Sequence, residues 1–324
     1  MIIKAFLILS LFCNTIYANT DVNQDLLNAC KSENLENVKL ALAAGADVNS
    51  KDAQGNSALV LACVSKTSLK SRTIKKLLIE AGADVNAKDK SYGMPILTWM
   101  FVSKDYENIK LLVQHKVDVN GTNKDGSNLL ALAASFTPEE FKASSETLEL
   151  LVSNGLNLNP TTTSGETILT HAAKEDKIDL VSFLLIHHVS VDITDKEGQT
   201  ALMFACDNND LSMVKLVLEN NANVNLKDKN GWTPGGTALM RAADKGSLDI
   251  AKLLIDKGSE INAKNSGGFT ALHRAAINGS VDVTNLLLSK GADPKIKDNN
   301  SKTPLDYAKD GGKMQVVQLL SKYK

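Results

Sequence analysis

The chain has 324 residues, of which 43% are apolar and 23% charged, enough for a continuous core in either two globular domains or one elongated array. Lys and Arg number 36 against 37 Asp and Glu, so no basic field exists for phosphate backbones or anionic lipid, and nucleic acid is excluded as the expected partner. In chain order, the first element reads as a secretory leader. Lys4 is its basic end, Ala5 to Phe12 its apolar stretch and Ile16-Tyr17-Ala18 its cleavage site. Residues 1–18 are therefore expected to be removed as a signal peptide, with residues 19–324 exported to a periplasm or secreted. Asn14 and Thr15 break the apolar run well short of the ~20 residues that cross a bilayer, so no integral membrane segment is expected after cleavage. Phe12 is too bulky to precede a lipidated Cys13.

A phrase then recurs: Gly45-Ala46-Asp47-Val48-Asn49, Gly82-Ala83-Asp84-Val85-Asn86, Val117-Asp118-Val119-Asn120, Asn221-Ala222-Asn223-Val224-Asn225 and Gly291-Ala292-Asp293-Pro294. Its closing positions (Asn49, Asn86, Asn120, Asn159, Asp192, Asn225, Asn262 and Lys295) are spaced 37, 34, 39, 33, 33, 37 and 33 residues apart, which sets a base period of 33. Eight residues after each closing position stands a second marker: Ser57, Met94, Asn128, Thr167, Thr200, Thr270 or Thr303. Only Thr237 comes after twelve. The surplus residues are expected in connecting segments, at Cys63 to Thr73, at Ser135 to Ser145 and in a long finger at Gly231-Trp232-Thr233-Pro234. Within a period, two apolar segments have helical spacing, as in Leu239, Ala242 and Ala243 followed by Ile250, Leu253 and Leu254, with Lys245-Gly246-Ser247 as the turn. Asp-x-x-Gly pairs such as Asp52 with Gly55 and Asp195 with Gly198 predict tight turns between periods.

Thr270-Ala271-Leu272-His273-Arg274-Ala275-Ala276 and Thr303-Pro304-Leu305-Asp306-Tyr307-Ala308 carry the strongest form of the motif, and from residue 22 to 322 the chain resembles the ankyrin-repeat family. That resemblance implies an all-α solenoid of stacked helix-turn-helix units joined by β-hairpin-like loops. The expected repeats are 22–51, 52–88, 89–122, 123–161, 162–194, 195–227, 228–264, 265–297 and 298–324, nine with both polar caps, in a single domain. The family's His is kept only as His273. Elsewhere Val60, Leu97, Ala131, Thr170, Met203, Met240 or Asp306 stands there, so its hydrogen bonding is expected to be mostly absent.

Chemistry-bearing residues have structural explanations. Cys30, Cys63 and Cys206 each fall on the second small residue of an Ala-Ala pair, where burial would raise the thiol pKa and the spacing of packed helices would keep them from pairing. His115, His171, His187 and His188 show no ligand spacing, and His188 takes the place of the closing-turn Gly. No phosphate loop, nucleophile elbow or calcium loop is present, so neither an enzyme nor a cofactor is expected.

The resemblance implies recognition of a protein partner through a groove lined by the fingers and the first helices, by a monomeric chain. The positions mapped onto that face are Trp232, Phe269, Gln199 and Lys302 on the fingers and Phe101, Phe136, Lys245 and Ile277 on the helices. Trp232 and Phe269 either anchor the partner or shield the long finger; both readings stand. Trp99 and Met100 occupy the expected Ala-Ala pair of the third repeat, so either the stack splays there or an inserted residue turns Trp99 outward. A membrane-tethered or structural scaffold is the alternative to an interaction module, and an enzyme hidden in the scaffold is a third reading.

Overall fold

The computed structural model describes residues 21–64, 68–160, 165–229 and 234–323. The expected leader at 1–18 and Trp232 lie outside the described residues. Among the described residues the chain forms α-helices in nine consecutive pairs, one terminal 3-10 turn and two isolated β-bridges, Lys51 with Ser57 and Lys88 with Pro95. This is the all-α repeat solenoid that the resemblance implies. No helix among the described residues is long and apolar enough to cross a membrane.

The chain divides into two compact units, residues 1–163 and 164–324, at the boundary between the predicted fourth and fifth repeats. In the N-terminal unit the first helices of the pairs are α1 (Val22–Lys31), α3 (Ala58–Val64), α5 (Ile96–Val102) and α7 (Leu129–Ala133), each packed on the next. The second helices are α2 (Leu35–Ala43), α4 (Leu69–Glu80), α6 (Tyr106–Gln114) and α8 (Pro138–Ser153). The C-terminal unit repeats the plan with first helices α9 (Ile168–Lys174), α11 (Ala201–Asp207), α13 (Ala238–Lys245), α15 (Ala271–Asn278) and α17 (Pro304–Asp310). Its second helices are α10 (Ile178–Ile186), α12 (Leu211–Glu219), α14 (Leu248–Asp256), α16 (Val281–Ser289) and α18 (Met314–Leu320).

Helices of seven or eight residues are too short to stand alone in water, so they depend on caps and on stacking. Thr200 and Thr237, in extended backbone, accept from the N–H groups of Met203 and Met240 at 3.3 Å. The side chain three residues on completes the cap in three repeats. Nδ1 of His273 accepts from Thr270 N–H at 3.2 Å, the Thr170 hydroxyl from Thr167 N–H at 3.1 Å, and the Asp306 carboxylate from Thr303 N–H at 2.9 Å. Thr170 and Asp306 thus retain a bond whose loss was expected, because a hydroxyl or carboxylate reaches back as the imidazole does. Ala172-Ala173, Ala205-Cys206, Ala242-Ala243 and Ala275-Ala276 are fully buried, which lets consecutive first helices approach closely.

Between repeats, closing-loop asparagines act as clips. Asn120 accepts from Asn157 N–H at 2.7 Å and donates to the Gly155 carbonyl at 2.9 Å; Asn225 does the same with Glu260 and Gly258, and Asn262 with Asp293 and Gly291. His188 takes a left-handed φ of 61° at the position where Gly258 and Gly291 have 91° and 95°, as its alignment predicts.

Two expectations are corrected. The surplus at 63–73 and 135–145 mostly lengthens second helices rather than loops: α4 has 12 residues and α8 has 16, against nine in α6 and α10. Thr137 with Glu140 forms a full capping box in front of Pro138, which starts α8 early. In the third repeat the extra residue sits in the finger. Asp89 N–H bonds the Met94 carbonyl five residues on, where Asp52 and Asp195 bond four residues on to Asn56 and Gln199. Pro95, not Met94, therefore caps α5, and the family His position falls on Thr98. Met100 and Phe101 fill the small-pair positions, and Trp99 stands outside the stack.

Where the two helices of a pair turn, left-handed residues of one repeat meet the cap of the next. Asn209 bonds the Ser247 hydroxyl, and Glu33 accepts from Ser68 at 2.6 Å. Asp176 faces Asp210 instead. A hydrogen bond to Asp210, some desolvation and charge repulsion from Asp210 raise its carboxyl above the ordinary range. The folded chain then holds this proton more tightly than the unfolded chain. The contribution is complete below the ordinary carboxylate pKa and is lost as pH rises through the raised value. Asp176→Asn, which tolerates the φ of 57°, should raise the melting temperature at pH 7 by an amount worth under about 1 kcal/mol, as suits an exposed pair, and this gain should vanish near pH 3.5. Thermal melts at the two pH values read the difference, and equal shifts at both would remove the repulsion argument.

Candidate functional site

Three positions per repeat converge on one face: the residue before the cap, and the fourth and seventh residues of the first helix. Glu166 receives Nδ1 of His171 at 3.2 Å and the Lys174 ammonium at 2.7 Å. Arg241 pairs with Asp207 of the preceding repeat and, at 2.7 Å, with Asp228 of its own finger. The Tyr307 hydroxyl donates to finger Asp298 at 2.5 Å, and Trp99 Nε1 to finger Asp89 at 3.2 Å. The pattern follows from helix geometry, since residues four and seven lie three apart and share a side, facing the finger residue before the cap.

In the C-terminal unit this face is a chain of ion pairs. Besides those above, Arg274 lies 3.9 Å from Asp244 and Lys302 lies 2.7 Å from Asp310. Burial pushes the Glu166 carboxyl up, but the hydrogen bonds and charge of Lys174 and His171 outweigh it and hold the group below the ordinary carboxylate range. At the last two repeats, Phe269 is half-buried, 5.3 Å from the Tyr307 ring and 5.5 Å from His273, with the Arg274 guanidinium 5.0 Å from its centre. Burial lowers the His273 pKa and keeps it neutral, so that with Nδ1 accepting from Thr270, Nε2 donates to the Lys302 carbonyl at 3.2 Å. Phe269 is thus packed against its own repeat and the next while staying half-buried. Gln199 and Ile277 are half-buried, and Lys245 and Lys302 are exposed.

Two of the expected contact residues are corrected. Phe101 is fully buried and Phe136 is 8% exposed; their rings stack at 5.4 Å and 15°. The one-residue shift of α5 turns Phe101 inward, and the five-residue α7 leaves room for Phe136 to follow it. The inserted residue turns Trp99 outward, the second of the two readings its position allowed, whereas Arg241, Arg274 and Tyr307 were not among the expected contact residues. The alternation of the fourth helical residue between aromatic and charged types next to constant alanines was the available signal.

In the second to fourth repeats the same helix positions are uncharged, whereas the first repeat places Lys31 there, 3.0 Å from Asp52. Leu61 and Val64 on α3, Trp99 and Val102 on α5 and Leu132 on α7 carry no charge, and Val64 and Val102 are 46% and 40% exposed. The fingers above them are locked to one another. Lys124 donates its ammonium to the carbonyls of Lys90 and Ser91 at 2.8 Å and its N–H to that of Tyr92 at 3.0 Å. In the C-terminal unit Lys229 N–H donates to the Glu197 carbonyl at 2.7 Å. Gly198, at φ 76°, must lack a side chain there because a Cβ would come within 2.8 Å of the Lys229 nitrogen.

Cys30, Cys63 and Cys206 are free and buried. Desolvation pushes the Cys30 and Cys63 thiols up to about 12 and raises Cys206 as well, so they fill the core and supply no thiolate. Among the described residues no group of three His, Cys, Asp or Glu side chains could hold a metal.

A family model described as ankyrin repeats (3 copies) matches residues 6–89, 139–228, 172–265 and 239–324. The stretch it leaves out, 90–138, holds the shifted α5 and the short α7. Comparison with curated proteins returns no match. With capped helix pairs, buried small-residue stacks and this match over most of its length, the chain belongs to the ankyrin-repeat family, whose members are generally protein–protein interaction modules.

Proposed function

We propose that the protein is exported and, as a monomer, binds a partner protein through the face made by its fingers and first helices. In the C-terminal unit Phe269, Gln199, Lys245, Ile277 and Lys302 contribute, together with Trp232 of the long finger. One observation carries this reading: His171, Phe204, Arg241, Arg274 and Tyr307 occupy one position in successive repeats and vary among imidazole, aromatic and guanidinium groups, while the alanines beside them stay constant. A surface that varies on an invariant frame suits recognition of one target. No catalytic group is needed for that role, and the reading assigns none.

The test is capture of a partner from the native exported compartment by residues 19–324, beside the double variant Trp232→Ala/Phe269→Ala. Truncating two aromatic anchors at about 2–4 kcal/mol each should abolish capture while the melting temperature stays within a few degrees. Capture that persists with a large drop in melting temperature would assign both rings to packing. N-terminal sequencing of the mature protein checks export, which requires a start near residue 19.

A further inference from the structure

We propose that the face of the N-terminal unit receives an amphipathic α-helix of the partner protein, apolar on the side laid against α3 and α5 and acidic along the edge turned to the fingers. This rests on the protein-binding reading above and names the partner's chemistry. Single exposed apolar side chains are ordinary, but here Val64, Val102, the half-buried Trp99 and the 64% exposed Tyr92 lie at face or finger positions of adjacent repeats. Most of the equivalent positions of the C-terminal unit close on themselves as ion pairs, whereas the floor made by α3 and α5 carries no ionised group among the described residues; at its edge, Lys31 of α1 is paired with Asp52.

The rim supplies the sign. Lys51, Lys88, Lys90 and Lys124 are exposed on the three fingers, whereas Asp52 and Asp89 are buried at the finger bases, where Lys31 and Trp99 respectively engage them; beyond the closing loops, which carry the exposed Asp47, Asp84 and Asp118, Asp125 is the one exposed acid of these fingers among the described residues. The excess of lysine favours acidic residues opposite it.

Spacing selects a helix over a strand. Val64 and Val102 hold the same position in successive repeats, and packed helices lie about 8–10 Å apart. On an α-helix, residues seven apart share a face and are separated by about 10.5 Å. An extended strand offers same-face residues at about 6.6 or 13 Å and falls out of step with the stack. Lys90 and Lys124 hold the same finger position in successive repeats, and the Lys124 ammonium reaches back to the Lys90 and Ser91 carbonyls, so both charges gather at the finger of the third repeat, where an acid on the helix edge meets them.

The probe is a labelled three-heptad peptide with leucine at the first and fourth heptad positions and glutamate along one edge. It is titrated into the full chain, with Trp232→Phe leaving Trp99 as the reporter. It should bind at least about tenfold more tightly than the same peptide with lysine on that edge, the gap closing as salt rises. A peptide of equal composition with alternating apolar and acidic residues should bind at least about tenfold more weakly than the heptad peptide. Val64→Glu with Val102→Glu should remove binding without moving the melting temperature, and Trp232→Ala/Phe269→Ala should leave it intact. Equal binding of the lysine or alternating peptide, or binding that survives Val64→Glu/Val102→Glu, overturns the proposal. So does self-association that the valine variants abolish while no peptide binds, which would make a second copy of the chain the occupant. If no peptide binds but partner capture persists, this inference fails alone; if capture is also absent, the reading beneath it fails.

Discussion

Lys75→Met should lower the stability of the N-terminal unit by about 3–5 kcal/mol, more than most single substitutions cost. The Lys75 ammonium on α4 lies 2.6 Å from the Asp105 carboxylate at the start of α6, and both side chains are 1% exposed. Asn108 donates to both Asp105 oxygens, at 3.0 and 3.1 Å, and the Arg72 guanidinium stands 3.9 Å away. Removing the ammonium strands a carboxylate that neither water nor the distant Arg72 can serve. Asp105 gives α6 no side-chain capping bond, so its own replacement costs the helix little. Lys75→Met/Asp105→Leu should therefore recover most of the loss, since a buried pair replaced by apolar groups of similar volume is often neutral or stabilising. Asn108 keeps a partner in the double variant, the Arg72 carbonyl at 3.0 Å. Urea unfolding followed by Trp99 fluorescence in a Trp232→Phe background reads the N-terminal unit. A single-variant loss under about 1 kcal/mol, or a double variant no better than the single, would show that the pair is solvated.

Neither member of that pair could be found by reading the sequence, because Lys75 lies just past an expected insertion, Cys63 to Thr73, and nothing local marks it as buried. The parts set by local chemistry were legible: threonine caps, alanine pairs, the left-handed closing turn at His188 and the burial of the three cysteines each follow from a few neighbouring residues. Register was not. The count of eight from Asn86 to Met94 assumed a finger of constant length, and the extra residue between Asp89 and Met94 moved every assignment in α5 by one. A one-residue slip changes which side of a helix a residue occupies by about 100°, enough to exchange core and face. Thr137-Pro138-Glu139-Glu140 was a readable helix start that the count passed over as loop. On the candidate face, finger residues such as Phe269 and Lys302 came from alignment to the cap, whereas Arg241 and Tyr307 needed their partners Asp228 and Asp298 to be seen.

Phe101→Ala carries the other large effect, about 3–5 kcal/mol against the N-terminal unit. In most repeats this position holds alanine or cysteine, because neighbouring first helices approach closely there; Ala173, Cys206, Ala243 and Ala276 are its counterparts. Phe101 fits only because α7 has five residues and Phe136 turns in beside it, with Tyr106 at 6.4 Å edge-on. Truncation therefore opens a cavity that no adjacent side chain is placed to fill, and the helices cannot close over it without moving α7. Phe136→Ala should cost somewhat less, since that ring retains slight exposure. The double variant should fall short of the sum by about 0.5–1.5 kcal/mol, the coupling of a stacked aromatic pair. The same variants separate core from face. As a contact residue Phe101 would weaken partner binding at constant stability; as a core residue it should lower the urea midpoint sharply, and binding by the folded protein should stay within about twofold under native conditions. A Phe101→Ala protein that melts like the wild type but loses its partner would return Phe101 to the binding surface.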